Sequence, residues 1–186
     1  MSPSAQTTTE IRTSNRELYL HRNEVFREGI LKLLAIKDSD IRILTLTQSR
    51  DAVDKGLHSG GALSAIVPLV SLFYGGFIRL DIADPTRRGQ DIFTLSKGHA
   101  VAALASIYAE FGYFDEKLLH NSRSHESLLN GHPGPVLPGI HIATGPMGQG
   151  LGVAQGFAVD GRKTLGELNK AIKNIDQHPT RLIFGQ

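Results

Sequence analysis

Apolar residues recur at helical spacing among charges from Asn15 to Ile36, where Leu18, Leu20, Val25, Phe26, Ile30, Leu33 and Leu34 define one face of an amphipathic helix. The preceding residues 1–14 are polar, rich in Ser and Thr, and read as a flexible N-terminal tail. Asp38-Ser39-Asp40 has the composition of an N-cap, and a second helix is expected from there to about Lys55, broken by the run Gly56 to Gly61. Leu63 to Tyr74 is apolar nearly all round and predicts a buried helix, ended by Gly75-Gly76.

The pattern then changes. Asp81 to Gln90, with Pro85 and Gly89, predicts a polar loop. Asp91 to Leu95 is a short β-prone run, and Ser96-Lys97-Gly98-His99 turns it into a helix over Ala100 to Phe111. A strand-to-helix turn of this kind offers backbone N–H groups to an anion. Asp115 opens another short helix, and Asn130 to Gly139 is irregular because of its prolines and glycines. Gly148 to Ala158 predicts a helix of small residues, Gly166 to Ile175 a polar helix, and Arg181 to Phe184 a strand-like end. There is no internal repeat.

Composition narrows the class. The 186 residues suffice for one domain with a core, and a hydrophobic share of 40% is that of a globular chain. The net charge is +2 and the basic residues are scattered, which argues against a nucleic-acid partner. Cysteine is absent, so disulfides and thiolate metal sites are excluded. No stretch approaches the roughly 20 apolar residues that cross a bilayer, and no signal peptide is recognisable. A cytoplasmic protein without a membrane partner is the expectation.

Candidate chemistry concentrates where histidine meets glycine. His58 stands in Leu57-His58-Ser59-Gly60-Gly61, His99 in Ser96-Lys97-Gly98-His99, and His132 in Asn130-Gly131-His132-Pro133-Gly134. A fourth glycine-dense stretch, Thr144-Gly145-Pro146-Met147-Gly148-Gln149-Gly150-Leu151-Gly152, follows. Glycine lets backbone approach a ligand closely, and imidazole binds anions and moves protons near neutral pH. Three such places imply one polar pocket built from several loops. His21, His120, His125 and His178 read as surface or hydrogen-bonded residues, and His141 as either a strand residue or a site residue.

Taken in order, these motifs resemble the N-terminal, diphosphate-binding part of the transketolases, over about Asp40 to Ala158. The resemblance implies an α/β fold of the thiamine diphosphate-binding type, helix-rich and truncated within its parallel sheet. Residues 15–158 would form the transketolase-like domain, and 159–186 a helix-strand segment similar to a later part of it. The resemblance makes His99 a ligand of the cofactor's phosphates, and Gly145, Pro146 and Met147 contacts of its aminopyrimidine ring. By the same resemblance His58 and His132 are catalytic, acting on sugar hydroxyl and carbonyl groups. Two positions depart from the family wording: Ser59 stands where proline is usual, and Met147 where leucine is common.

The implied activity is transfer of a two-carbon ketol unit between sugar phosphates, a transferase reaction of pentose phosphate metabolism. In the family Mg²⁺ accompanies thiamine diphosphate, held by a Gly-Asp-Gly motif and a later asparagine. Asp160-Gly161 lacks that context, reading as a helix end, and Asn169 and Asn174 lie too near it. No metal ligand is therefore assigned. The chain reads as if the metal-binding middle were absent, with a join near Ala158, a change that would leave helices with exposed apolar faces. It also lacks the family's pyrimidine-binding half. Activity would thus require a homo-oligomer or a complementary C-terminal subunit. Two alternatives remain open: a catalytically inactive relic or interaction module, and a phosphosugar-binding domain that takes no cofactor.

Overall fold

A computed structural model describes the backbone of residues 8–52, 57–171 and 182–185, with side chains described for 21–52 and 57–161. The first element, α1, is one helix from Thr8 to Asp51. It begins inside the stretch expected to be a tail and runs unbroken through the expected N-cap. The reason is local: the Asp38 carboxylate accepts from Arg42 Nε one turn on, at 2.7 Å, and Ser39 Oγ donates back to Ala35 O at 3.1 Å. Both bonds suit a helix interior better than a cap. The expected end near Lys55 lies outside the described residues.

Only part of α1 packs against the body. Ile41, Thr45 and Gln48 form its fully buried stripe, which buried Ala52 continues just past the helix end. Two of them are polar and both are engaged: Thr45 Oγ1 lies 3.4 Å from Ser106 Oγ, and Gln48 Nε2 donates to Ser122 Oγ at 2.8 Å. Nearer the N-terminus, Val25, Phe26, Ile30, Leu31, Leu33 and Ile36 are exposed. The amphipathic pattern is real there, but no described element covers it.

Next come α2 (Ser59–Leu63) and α3 (Ile66–Tyr74). Ile66, Leu69, Val70 and Phe73 are buried, whereas Val67 is exposed, so α3, although apolar nearly all round, is buried on one side only. After α3 the chain forms the expected polar loop. Its anchor is Asp91, a buried carboxylate that accepts from the Arg79 backbone N–H at 2.8 Å and from Arg79 Nη2 at 3.4 Å.

Strand β1 (Ile92–Leu95) leads through a 3-10 turn, Gly98–Ala100, into α4 (Val101–Glu110). Every residue of α4 from Val101 to Ala109 is buried, which makes it the central helix. Its alanines let α1, α2 and α3 approach closely, while Tyr108 and Phe73 meet edge to face at 5.8 Å between ring centroids. At its end Glu110 accepts hydrogen bonds from both Lys37 of α1 and Tyr74 of α3, joining three helices at one carboxylate. Burial, then Glu110, pushes the Tyr74 phenol well above the usual range.

A 3-10 helix, Glu116–Asn121, is opened by Asp115, whose side chain accepts from Lys117 N at 2.9 Å. Residues 122–148 contain no helix or strand. Then α5 runs from Gln149 to Ala171 and β2 from Leu182 to Gly185. The two expected late helices are therefore continuous across Gly161 and Gly166, apart from residues 172–175, which lie outside the described residues. β2 pairs in parallel with β1, with Ile92 opposite Leu182 and Leu95 opposite Gly185. The fold is α/β and helix-rich, with a two-stranded parallel sheet among the described residues. No described helix is long and apolar enough to cross a membrane.

The two faces of α1 respond differently to truncation. Ile41→Ala removes a side chain with no exposure and should cost about 2–5 kcal/mol in urea unfolding. Ile43→Ala, at a position 62% exposed, should change stability by about 0.5 kcal/mol or less.

Candidate cofactor site

The three glycine-flanked histidines arrive from different elements and meet. His58 is the residue preceding α2, His99 sits in the 3-10 turn after β1, and His132 lies in the irregular segment before α5. Ring centroids are 4.6 Å apart for His58 and His99, 4.7 Å for His99 and His132, and 5.8 Å for His58 and His132. His58 is exposed and the other two are half-buried.

Close backbone contacts bring them together. A Cβ on Gly98 would stand 2.8 Å from Thr144 O, so only glycine lets the Thr144-Gly145 backbone pass over the turn at this distance. A Cβ on Gly150 would stand 2.6 Å from Ser96 Cα, so the start of α5 presses on the same turn. Thr144 fastens the crossing: its Oγ1 donates to Leu95 O at 2.7 Å, and its backbone N–H donates to Pro133 O at 3.4 Å. From the other side, Lys97 Nζ donates to Ser64 Oγ at 2.6 Å, linking the turn to the residue that follows α2.

Gly145 lies against the His132 ring, where a Cβ would be 3.6 Å from Cδ2. Pro146 and Met147 continue that edge into solvent, with Met147 88% exposed. Partial burial is the first cause that holds the His132 imidazole below its ordinary pKa of 6.5; the rings of His99 and His58 and the Arg123 guanidinium add to it. These causes all favour the neutral form of the His132 ring. Ser64, Lys97, Arg123 and Thr144 were not singled out by sequence reasoning. Lys97 and Thr144 lie inside the quoted motifs and Ser64 ends the run Gly56 to Ser64 around the first of them, but no local signal marks Arg123.

The remaining histidines separate from the cluster. His120 Nδ1 lies 2.7 Å from Asp51 Oδ2, joining the second 3-10 helix to α1. His141 stands in no strand and meets the Phe157 ring at 6.3 Å. His21 and His125 are exposed, and His178 lies outside the described residues. Asp160 is exposed within α5, not at a helix end. A separate cleft of about 330 Å³ is lined by Arg79 to Ile82 and Arg87 to Gln90, and contains none of the expected site residues.

Comparison with known proteins agrees with this geometry. The family profile described as transketolase, thiamine diphosphate binding domain, matches residues 36–186. The transketolase of Pongo abelii is 39% identical over 132 residues, 70% of this chain and 21% of that protein. The solved transketolase of Campylobacter jejuni superposes with a TM-score of 0.66 at 31% identity, covering 72% of this chain and 21% of that one. A Pichia stipitis transketolase in complex with sedoheptulose-7-phosphate superposes at 0.59 and 31% identity, over 66% of this chain and 18% of that one. The fold is that of a thiamine diphosphate-binding domain. The chain belongs to the transketolase family, and it spans about a fifth of the length of these relatives.

The residues present fit one part of the implied cofactor pair. Partly exposed Gly145 leaves backbone accessible beside the imidazoles, and exposed Met147 offers an apolar edge, a combination suited to a diphosphate joined to an aromatic ring. Mg²⁺ is not accommodated in the same way, because it requires oxygen ligands. Among the described residues the group able to hold a metal ion consists of imidazoles, with no carboxylate in it.

Two outcomes test this geometry. Gly150→Ala should destabilise the protein by about 1–3 kcal/mol in chemical denaturation, because its methyl meets backbone. Gly152→Ala, with nothing within 4 Å, should be neutral or stabilising by up to about 1 kcal/mol. In an NMR pH titration the His132 ring should have its midpoint below 6.5. A midpoint above 6.5 would contradict the packing described for it.

Proposed function

We propose that this chain is a transketolase-type N-terminal module. It holds thiamine diphosphate through His99 and the Gly145-Pro146-Met147 edge, and it transfers a two-carbon ketol unit between sugar phosphates once a companion chain completes the site. The observation that carries this reading is the convergence of His58, His99 and His132 beside Gly145. When bound, thiamine diphosphate supplies the electron sink for cleaving a ketose between carbons two and three.

The chain's own residues have distinct tasks. His99, beside the close backbone crossing at Gly98, donates a ring N–H to a phosphate oxygen. His132, whose neutral form is favoured by partial burial, takes a proton from a sugar hydroxyl, and exposed His58 holds or returns one at a carbonyl oxygen. Pro146 and Met147 border the ring system of the cofactor. No step is assigned to Mg²⁺.

The companion in this reading is either a further copy of this chain or a complementary C-terminal subunit. A cytoplasmic setting within pentose phosphate metabolism belongs to the same reading. The lack of an oxygen-ligand set beside the cluster among the described residues favours a second reading, a catalytically inactive relic that binds a homologue.

Calorimetry separates the two. Titration of the purified chain with thiamine diphosphate and Mg²⁺ should give saturable heat that is lost in His99→Ala, whereas the relic predicts no saturable heat. Turnover of a ketose phosphate by the isolated chain is expected to be absent. Turnover without any partner would contradict the need for one.

A further inference from the structure

We infer that His58, His99 and His132 form a binding site for one transition-metal ion of the zinc class, independent of the cofactor reading. Each residue offers one ring nitrogen, and these atoms all lie within 4.8 Å of one another. Tetrahedral zinc at about 2.0–2.1 Å from each nitrogen holds its ligands roughly 3.3–3.4 Å apart. The cluster must therefore contract by about 1.4 Å at its widest, a movement within reach of side-chain rotation.

Of the three, the exposed His58 ring has the most room for that movement, while the Arg123 guanidinium near His132 is a positive charge that the ion must tolerate. His58 makes no side-chain cap hydrogen bond to α2. Each neutral imidazole carries one acceptor nitrogen, so three lone pairs can converge on a single cation. The donor set decides the ion: imidazole suits Zn²⁺, Co²⁺, Ni²⁺ and Cu²⁺, while Mg²⁺ and Ca²⁺ demand oxygen. Three protein ligands leave a fourth position open, and because His58 is exposed that position is reachable from solvent for water or an anion.

The backbone makes the site durable. His99 is fixed by the Gly98 crossing and His132 by the Thr144 bond to Pro133 O, so two ligands sit on a braced frame. His58, at the mouth, is the ligand free to close. No cofactor, partner chain or catalytic event is needed for this binding.

Titration of the untagged, metal-free chain with Co²⁺ reads the site directly through its visible d–d absorption. The expected result is one Co²⁺ per chain in a low-symmetry tetrahedral spectrum, displaced by one equivalent of Zn²⁺. His58→Asn and His132→Asn should each weaken cobalt affinity by about 100-fold or more, beyond the roughly 10–100-fold loss caused by removing outer-shell partners. His125→Asn should leave it unchanged. Because His58 is exposed, His58→Asn should keep the wild-type thermal unfolding profile, which separates loss of a ligand from loss of fold. Absence of saturable cobalt binding would overturn the inference, as would an unchanged affinity in the well-folded His58→Asn variant. The same titration with thiamine diphosphate absent keeps this outcome separate from failure of the cofactor reading.

Discussion

The crossing of the Thr144-Gly145 backbone over the turn at Gly98 is the contact on which the rest of the site depends. β1 brings the turn to this place, and α4 carries it into the core. The contact itself requires that two positions have no side chain: Gly98 under Thr144 O, and Gly150 against Ser96 Cα. Hydrogen bonds from Thr144 to Leu95 O and Pro133 O then hold three separated segments in register. Without that crossing His132 would be a loop residue with no fixed neighbour, and the three imidazoles would not share a site.

Behind the crossing stands α4, buried along nearly its whole length. Such a helix is stable only when surrounded, and here α1, α2, α3 and the 3-10 helix at Glu116–Asn121 cover it. Glu110 closes the far end by accepting from Lys37 and Tyr74. The helical body is thus well supplied with internal contacts, while the sheet is small. The exposed apolar residues of the outer half of α1, Phe26 among them, show the other side of this balance. Among the described elements none covers that apolar surface.

Much of this was legible in the chain. The motif order identified the family, and the short runs at Asp91–Leu95 and Arg181–Phe184 located the two strands to within a residue at each start and end. Helix limits were less legible. Asp38-Ser39-Asp40 carries the composition of a cap, but Arg42 and Ala35 engage Asp38 and Ser39 inside a continuous helix, and composition cannot rank those options. Gly161 and Gly166 suggested a break in α5 because glycine is a poor helix former, and yet the helix continues through both. At the site, the histidines were visible because their glycine neighbours are unusual. Arg123 was not, and neither was the pairing of Ser64 with Lys97, which tertiary placement makes across more than thirty residues. The grouping of the imidazoles as a ligand set was likewise hidden, because its members are spread from position 58 to position 132.

The central claim is that these three distant histidines occupy one place. Proton NOEs between histidine ring protons, recorded on histidine-labelled protein without added ligand, test it most directly. The account predicts cross-peaks linking His99 to both His58 and His132, with a weaker one between His58 and His132, following centroid distances of 4.6, 4.7 and 5.8 Å. A His99 ring with NOEs to neither partner would contradict it.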